Sequence, residues 1–133
     1  MIPVSPFMDW VGAQAQWIGD DGVRLSLSLA PHHTNPTGVM HGGVVATLLD
    51  EAAALAVRRR LDEQPGHLSP LLLVEMNVSF IAGARPGDVL EVEGRVLHLG
   101  RRVVFAEAEA RRGQALVAKG RFTFVRQPSQ PEQ

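Results

Sequence analysis

Asn35, His41, Gly42 and Asp50 are the residues whose types and spacing could do chemistry together. They lie in and around TNPTGVMHGGVVATLLDEAAALAV, residues 34–57, where a His and two Gly precede an apolar run with two acids, Asp50 and Glu51, in its middle. The first N–H groups of a helix have no intrahelical acceptor, so a Gly-Gly start is a ready site for an oxyanion or a polarised carbonyl. A tight turn into the helix is the purely structural use of the same pair. A carboxylate can act as general base or nucleophile, or pair structurally with an Arg or a backbone donor. Asp50 follows Gly42 by eight residues, which on an α-helix is about 12 Å along the axis and about 80° around it. One carbonyl cannot touch both groups within one chain. If they cooperate, the acid comes from an antiparallel helix of a second subunit, most economically one related by a two-fold axis. The small residues Ala46, Thr47, Ala53 and Ala54 around Asp50 leave room for a substrate or for close helix approach. Glu51 lies roughly 100° further round and is expected to face Arg58 or the sheet.

His41 could simply be a bonded polar residue at a helix start, but its place beside the Gly pair makes it a functional candidate. The spacing of His32, His33, His41 and Asp50 matches no standard metal-ligand pattern, so no metal is expected. HGG also occurs in the oxyanion segment of lipases and esterases. A G-x-S-x-G nucleophile elbow is absent here, and the chain is short for that fold.

These residues need elements to position them. Val23, Leu25, Leu27 and Leu29 alternate strictly within 21–30, the period of a strand with one buried face. HHTNPT reads as a loop, and Val44–Arg60, without Gly or Pro, as a helix of four to five turns that DEQPGHLSP ends. Residues 71–81, 88–99, 102–111 and 115–126 read as strands separated by GARPG, LGRR and RRGQ, most simply an antiparallel meander. In the first of these, Val74, Met76, Val78 and Phe80 share one face, with Glu75, Asn77 and Ser79 on the other. One helix with five or six strands is an α+β layout. Since the helix is apolar on nearly every face, it should be covered by a curled sheet, or by a sheet and a partner subunit. The tail RQPSQPEQ is expected to fray.

Composition sets the remaining limits. A chain of 133 residues fits a single domain, 1–133. With 13 basic and 14 acidic residues dispersed along it, no basic block suggests nucleic acid or an anionic membrane. The absence of Cys excludes disulfides, thiolate zinc sites and a Cys nucleophile, and fits the cytoplasm. The beginning of the chain lacks signal-peptide character, and residues 42–57 are too short and too acidic to span a bilayer.

NPTGVMHGGVVATLLDEA resembles the motif of hotdog-fold acyl-CoA thioesterases of the phenylacetate-pathway (PaaI-like) type: an Asn, a His-Gly-Gly six residues on, and an Asp nine residues after the His. VEMNVSFIAGARPGDVLEVEGRV and LGRRVVFAEAEA resemble later strands of the same family, so the likeness runs from about residue 20 to 126. The resemblance implies a hotdog fold, a curled antiparallel sheet wrapped around one long central helix, assembled as a homodimer or homotetramer. It further implies that the Gly42 N–H polarises a thioester carbonyl while Asp50 of the opposing subunit activates water or attacks directly. Asn35 and His41 would orient water, carbonyl or the loop itself. By the same resemblance, CoA, as part of the substrate and not a cofactor, would be held by Phe80, Ile81, Ala82, Gly83, Ala84 and Arg85, and by the hairpin His98, Leu99, Gly100, Arg101 and Arg102. An ordinary solvated hairpin is the alternative for the latter.

The sequence departs from the family at Leu73, seven residues before Phe80, where many relatives carry Ser or Thr to help hold the nucleophilic water. Ser69 or Thr47 would have to substitute, or the water is held less firmly, or the protein binds acyl-CoA without efficient turnover. The Pro that usually follows the SF strand is also displaced, with Ala82 and Gly83 in its place. Hydrolysis of an aryl- or medium-chain acyl-CoA is the leading expectation. A noncatalytic acyl-CoA binding module is the alternative, and a dehydratase of the same fold fits the position of the acid less well.

Overall fold

Alternating apolar residues build the sheet, and an Ala- and Leu-rich run builds the helix that lies on it. The computed structural model describes residues 1–64 and 66–127. Beyond Gln127 the expected frayed tail lies outside the described residues. In chain order the elements are helix α1 (Pro6–Val11), strands β1 (Gln14–Ile18) and β2 (Gly22–Ser28), helix α2 (Gly42–Arg60), and strands β3 (Leu71–Phe80), β4 (Val89–Leu99), β5 (Val103–Arg112) and β6 (Ala115–Arg126). A 3-10 turn at Pro31–His33 leads into the loop before α2.

The six strands form one antiparallel sheet in the order β1-β2-β4-β5-β6-β3. This corrects the meander: β4, β5 and β6 are consecutive neighbours, but β3 pairs with β6 at the far edge instead of with β4. The chain after β3 is too long and too well bonded to be a hairpin turn. Ile81 and Ala82 donate to the Val117 carbonyl, Ala84 accepts from the Met40 N–H and Gly87 donates to Leu29, which carries the chain across the sheet end to β4. Two further elements were not anticipated. QAQWI pairs with β2 as β1, and α1 is capped by Ser5, whose side chain accepts the Met8 N–H, and closed by Gly12 at φ 100°.

Helix α2 begins two residues earlier than the sequence suggested, at Gly42. Val45, Leu48, Leu49, Ala52, Ala53, Ala56 and Val57 bury its sheet-facing side against Leu25, Leu90, Val92, Val104, Phe122 and Phe124 of the inner sheet face. Such burial stabilises by about 1.5–3 kcal/mol per large side chain. Close approach requires Gly94, where a Cβ would stand 2.3 Å from the Ala52 carbonyl oxygen. At the other end Arg59 donates to the carbonyls of Ile18, Gly19 and Gly22, tying the helix to the β1–β2 turn.

The expectation of cover on every side fails within one chain. Ala46, Thr47, Asp50 and Ala54 remain partly exposed and Gly43 is exposed. The adjacent edge is bare as well. Directly opposed residues of an antiparallel pair share a face, so Met76 and Phe80, facing Phe122 and Ala118, lie on the inner side of the sheet, yet they are 51% and 59% exposed. The sheet is open at this edge, and only the start of α2, at Gly42, comes near it.

Candidate active site

The loop before α2 is shaped by its own polar groups. Asn35 Oδ1 accepts from the Thr37 N–H at 2.9 Å, the Thr37 hydroxyl at 2.7 Å and the Val39 N–H at 3.3 Å. Its backbone N–H donates to the Val39 carbonyl at 2.7 Å. Asn35 therefore closes the turn that delivers His41 to the helix start. His41 is the N-cap: Nδ1 accepts the Gly43 N–H at 2.8 Å, which requires that nitrogen to be unprotonated. The Gly42 N–H has no acceptor among the described residues. It lies at the positive end of the helix dipole, where a developing oxyanion is stabilised most.

Gly42 borders a cleft of about 330 Å³ shared with Met40, Val45, Phe80, Ile81, Ala82, Gly83 and Val117. The structure thus brings Phe80 to Gly83 of the expected CoA set to the Gly42 N–H. Ala84 does not join them, being fully buried, because its carbonyl is bonded to Met40. Arg85 is exposed, and its backbone N–H donates to Asp88 Oδ2 at 2.9 Å.

The hairpin His98–Arg102 stands elsewhere. Arg102 accepts the N–H of Arg126, which pairs with Leu71, whereas Phe80 pairs with Ala118. The two expected CoA segments therefore lie at opposite ends of β3, about 30 Å apart at the rise of a strand. Within the hairpin, Gly100 is required by the turn, since a Cβ would stand 2.3 Å from the Val103 carbonyl oxygen. Leu99 packs on the core, His98 leans on Phe105 with ring centres 6.3 Å apart, and Arg101 and Arg102 are exposed.

Asp50 is partly buried, and no described residue donates a hydrogen bond to its carboxylate. Desolvation, followed by the charge of Glu51, pushes its pKa up to about 6. Such a group is poised to take a proton near neutrality. Glu51 faces neither Arg58 nor the sheet, contrary to expectation. Its Oε2 accepts the Ser5 N–H at 2.8 Å, anchoring the N-terminal segment, while Arg58 pairs with Glu63 at 2.8 Å.

Of the two substitutes considered for the Leu73 position, Ser69 is occupied, its hydroxyl donating to Glu63 Oε2 at 2.6 Å. Thr47, one turn before Asp50, is engaged in the same way, its hydroxyl donating to the Gly43 carbonyl at 2.7 Å. Among the described residues no three His, Cys, Asp or Glu side chains gather as a metal site. None of the described helices is long and apolar enough to cross a membrane.

Residues 37–119, which include the Gly42 start, Asp50 and the β3 edge, match the thioesterase superfamily. The chain belongs to that superfamily. It is 37% identical over 101 residues to a Caenorhabditis elegans protein named provisionally as an esterase, covering 74% of this chain and 57% of that one. Against a similarly named Pseudomonas aeruginosa protein it is 33% identical, covering 90% and 87%. Acyl-coenzyme A thioesterase 13 of Mus musculus is 28% identical over 73% of this chain and 67% of its own length. A solved structure of a conserved Pseudomonas aeruginosa protein superposes with TM-score 0.81 at 34% identity, covering 93% and 95%. The fold is the hotdog fold of the superfamily, with the curled sheet left open, and the chemistry the family name states is thioester hydrolysis. Sequence reasoning about that chemistry missed Met40, Val45 and Val117 in the cleft. Nothing in their apolar types sets them apart from core residues until the crossing after β3 is known.

Proposed function

We propose that this protein is an acyl-CoA thioesterase acting on aryl- or medium-chain acyl groups, with its site formed between two chains. One observation carries the reading: the unbonded Gly42 N–H opens on a cleft, while the protonatable Asp50 stands eight residues along the same helix, about 12 Å away. The thioester carbonyl of one site accepts from Gly42 of one chain, and Asp50 of the partner takes a proton from the attacking water or attacks directly. In the water route, the new C–O bond forms as the proton passes to Asp50. The tetrahedral oxyanion is held at the helix start, and collapse breaks the C–S bond, the thiolate leaving with the proton.

The bare inner edge of β3 supports the two-chain arrangement. Antiparallel pairing of two β3 edges about a two-fold axis would cover Met76 and Phe80, and would set the Phe80 end of one strand beside the Leu71 end of the other. The Arg101 and Arg102 hairpin of one chain then approaches the Phe80 to Arg85 segment of its partner, which reconciles the two separated halves of the expected CoA contacts. No cofactor takes part, CoA being a portion of the substrate. The relative named as an acyl-coenzyme A thioesterase supports the substrate class.

A noncatalytic acyl-CoA binding role is the second reading, favoured by Leu73 and by the engagement of Ser69 with Glu63. Thiol release from a panel of aryl- and fatty acyl-CoA esters separates the two. Turnover that Asp50→Asn abolishes while the oligomer persists fits the hydrolase, whereas binding without thiol release across the panel fits the binder.

A further inference from the structure

His33 is the one polar side chain fully buried among the described residues, 4% exposed, and the chemistry above does not use it. Its ring is bonded on both sides: Nδ1 accepts the Ala30 N–H at 3.0 Å, and Nε2 meets the Val11 carbonyl at 2.8 Å. A backbone N–H only donates and a carbonyl only accepts, so the ring is neutral with its proton on Nε2. The main chain continues the path. The His33 carbonyl accepts the His41 N–H at 2.8 Å, and the His41 ring accepts the Gly43 N–H at 2.8 Å. The free N–H of Gly42 lies between these two bonded residues.

We propose that His33 is a positioning residue for the Gly42 N–H, acting through His41. The ring pins the 3-10 turn to the end of α1. The turn offers its carbonyl to His41, and His41 caps Gly43 so that the neighbouring Gly42 N–H keeps one direction. Asn35 closes the loop on itself and Met40 donates to the Ala84 carbonyl at 2.8 Å, so the path through His33 is the tie between the helix start and α1. Without the ring, the Ala30 N–H and the Val11 carbonyl lose their partners in a buried place, and the turn must shift to satisfy them. A donor preorganised for an oxyanion loses effect steeply on displacement, about a hundredfold in rate for 1 Å. The kinetic consequence rests on the thioesterase reading, whereas the path from His33 to Gly43 does not.

A double-mutant cycle tests it. His33→Gln keeps a donor toward Val11, His33→Asn keeps an acceptor for Ala30, and His41→Ala removes the cap. Thiol release and hydrogen exchange at the Gly43 amide are measured in each. His33→Gln is expected to lower kcat about ten- to a hundredfold with KM changed less than about twofold, to speed Gly43 exchange, and to do neither once His41 is Ala. His33→Asn, which keeps the bond to Ala30, is expected to recover part of the rate, and it carries the same cycle if the Gln variant does not fold. Equal losses in both His41 backgrounds, or unchanged Gly43 exchange in the His33 variants, overturns the proposal. If the wild type releases no thiol from any ester, the functional reading falls, and the exchange measurement still decides whether His33 acts on the helix start.

Discussion

The Phe80 ring lies over the start of α2 so that a Cβ on Gly42 would stand 3.5 Å from its Cε1, an ordinary contact. Gly42 is therefore not required by space, and in the proposed reaction its part is played by the backbone N–H. Gly42→Ala should fold normally and keep kcat within about threefold, because the N–H survives. Gly42→Pro deletes the N–H at the first helical position, where Pro is well tolerated. His41 already holds φ −63° and ψ 132°, a conformation suited to the residue before Pro. The expected loss is about 10²–10³ in kcat with an unchanged melting temperature. A Gly42→Pro variant that folds and turns over normally would remove Gly42 from the chemistry.

Asp50 gives a pH signature in both rate and stability. With its carboxyl raised to about 6, kcat/KM should rise through that pH and level off above it, since the base must be unprotonated. Asp50→Asn should lower turnover by at least about 10² at every pH. For stability the sign is opposite to that of a salt-bridged acid. The folded state binds the proton more tightly than the unfolded one, so this carboxyl's stabilising contribution is complete below 3.8 and is lost as pH rises through about 6. Asp50→Asn should thus gain about 1–2 kcal/mol at pH 8, a figure reduced for partial exposure, and the gain should vanish near pH 4. Urea unfolding at the two pH values measures it.

How much of this was legible in the sequence depended on whether a feature is local. Helix α2 and five strands, β2 to β6, could be read because their apolar periods are written in consecutive residues. The separation of Gly42 and Asp50 could be read because a helix converts spacing into distance, and Asn35 and His41 were placed by resemblance to the family motif. The neighbour of β3 could not, since alternation shows that Met76 and Phe80 share a face without showing what covers it. Nor could the bond of Glu51, because its partner is a backbone N–H at Ser5, and any residue type except Pro offers one. The short strand QAQWI was missed because its apolar residues are few and its pairing with β2 supplies the order.

The bare β3 edge predicts the oligomer. Met76→Glu places a charge on the inner face, where a partner's strand and helix would bury it unpaired, at a cost of several kcal/mol. The variant should sediment as a monomer and release no thiol, while Gln16→Glu on the exposed outer strand β1 should leave both properties unchanged. An active monomeric Met76→Glu would refute the shared site.

Arg101 and Arg102 should act on binding alone. Both are exposed and form no ion pair among the described residues, so replacing them with Ala removes charge without breaking the fold. If they meet CoA phosphates, KM should rise about tenfold at low salt with kcat little changed, and the effect should shrink as salt screens the contact. A KM that does not move identifies an ordinary surface hairpin.

Mixing two inactive variants distinguishes a site within one chain from a site between two. In Gly42→Pro every site lacks the donor, and in Asp50→Asn every site lacks the base, so each homodimer should be inactive. Unfolded together and refolded at equal concentration, the chains form heterodimers in about half of the population. In each heterodimer one site joins Gly42 of the Asp50→Asn chain to Asp50 of the Gly42→Pro chain and is intact, while the other lacks both. One working site of two, in half of the molecules, should restore about a quarter of the wild-type activity. If Gly42 and Asp50 of the same chain served one substrate, every site in the mixture would still lack one group, and no activity would return. The helix geometry forbids that second outcome as long as both residues touch the reacting thioester, so a silent mixture of properly formed heterodimers would mean that one of the two plays no part in the chemistry.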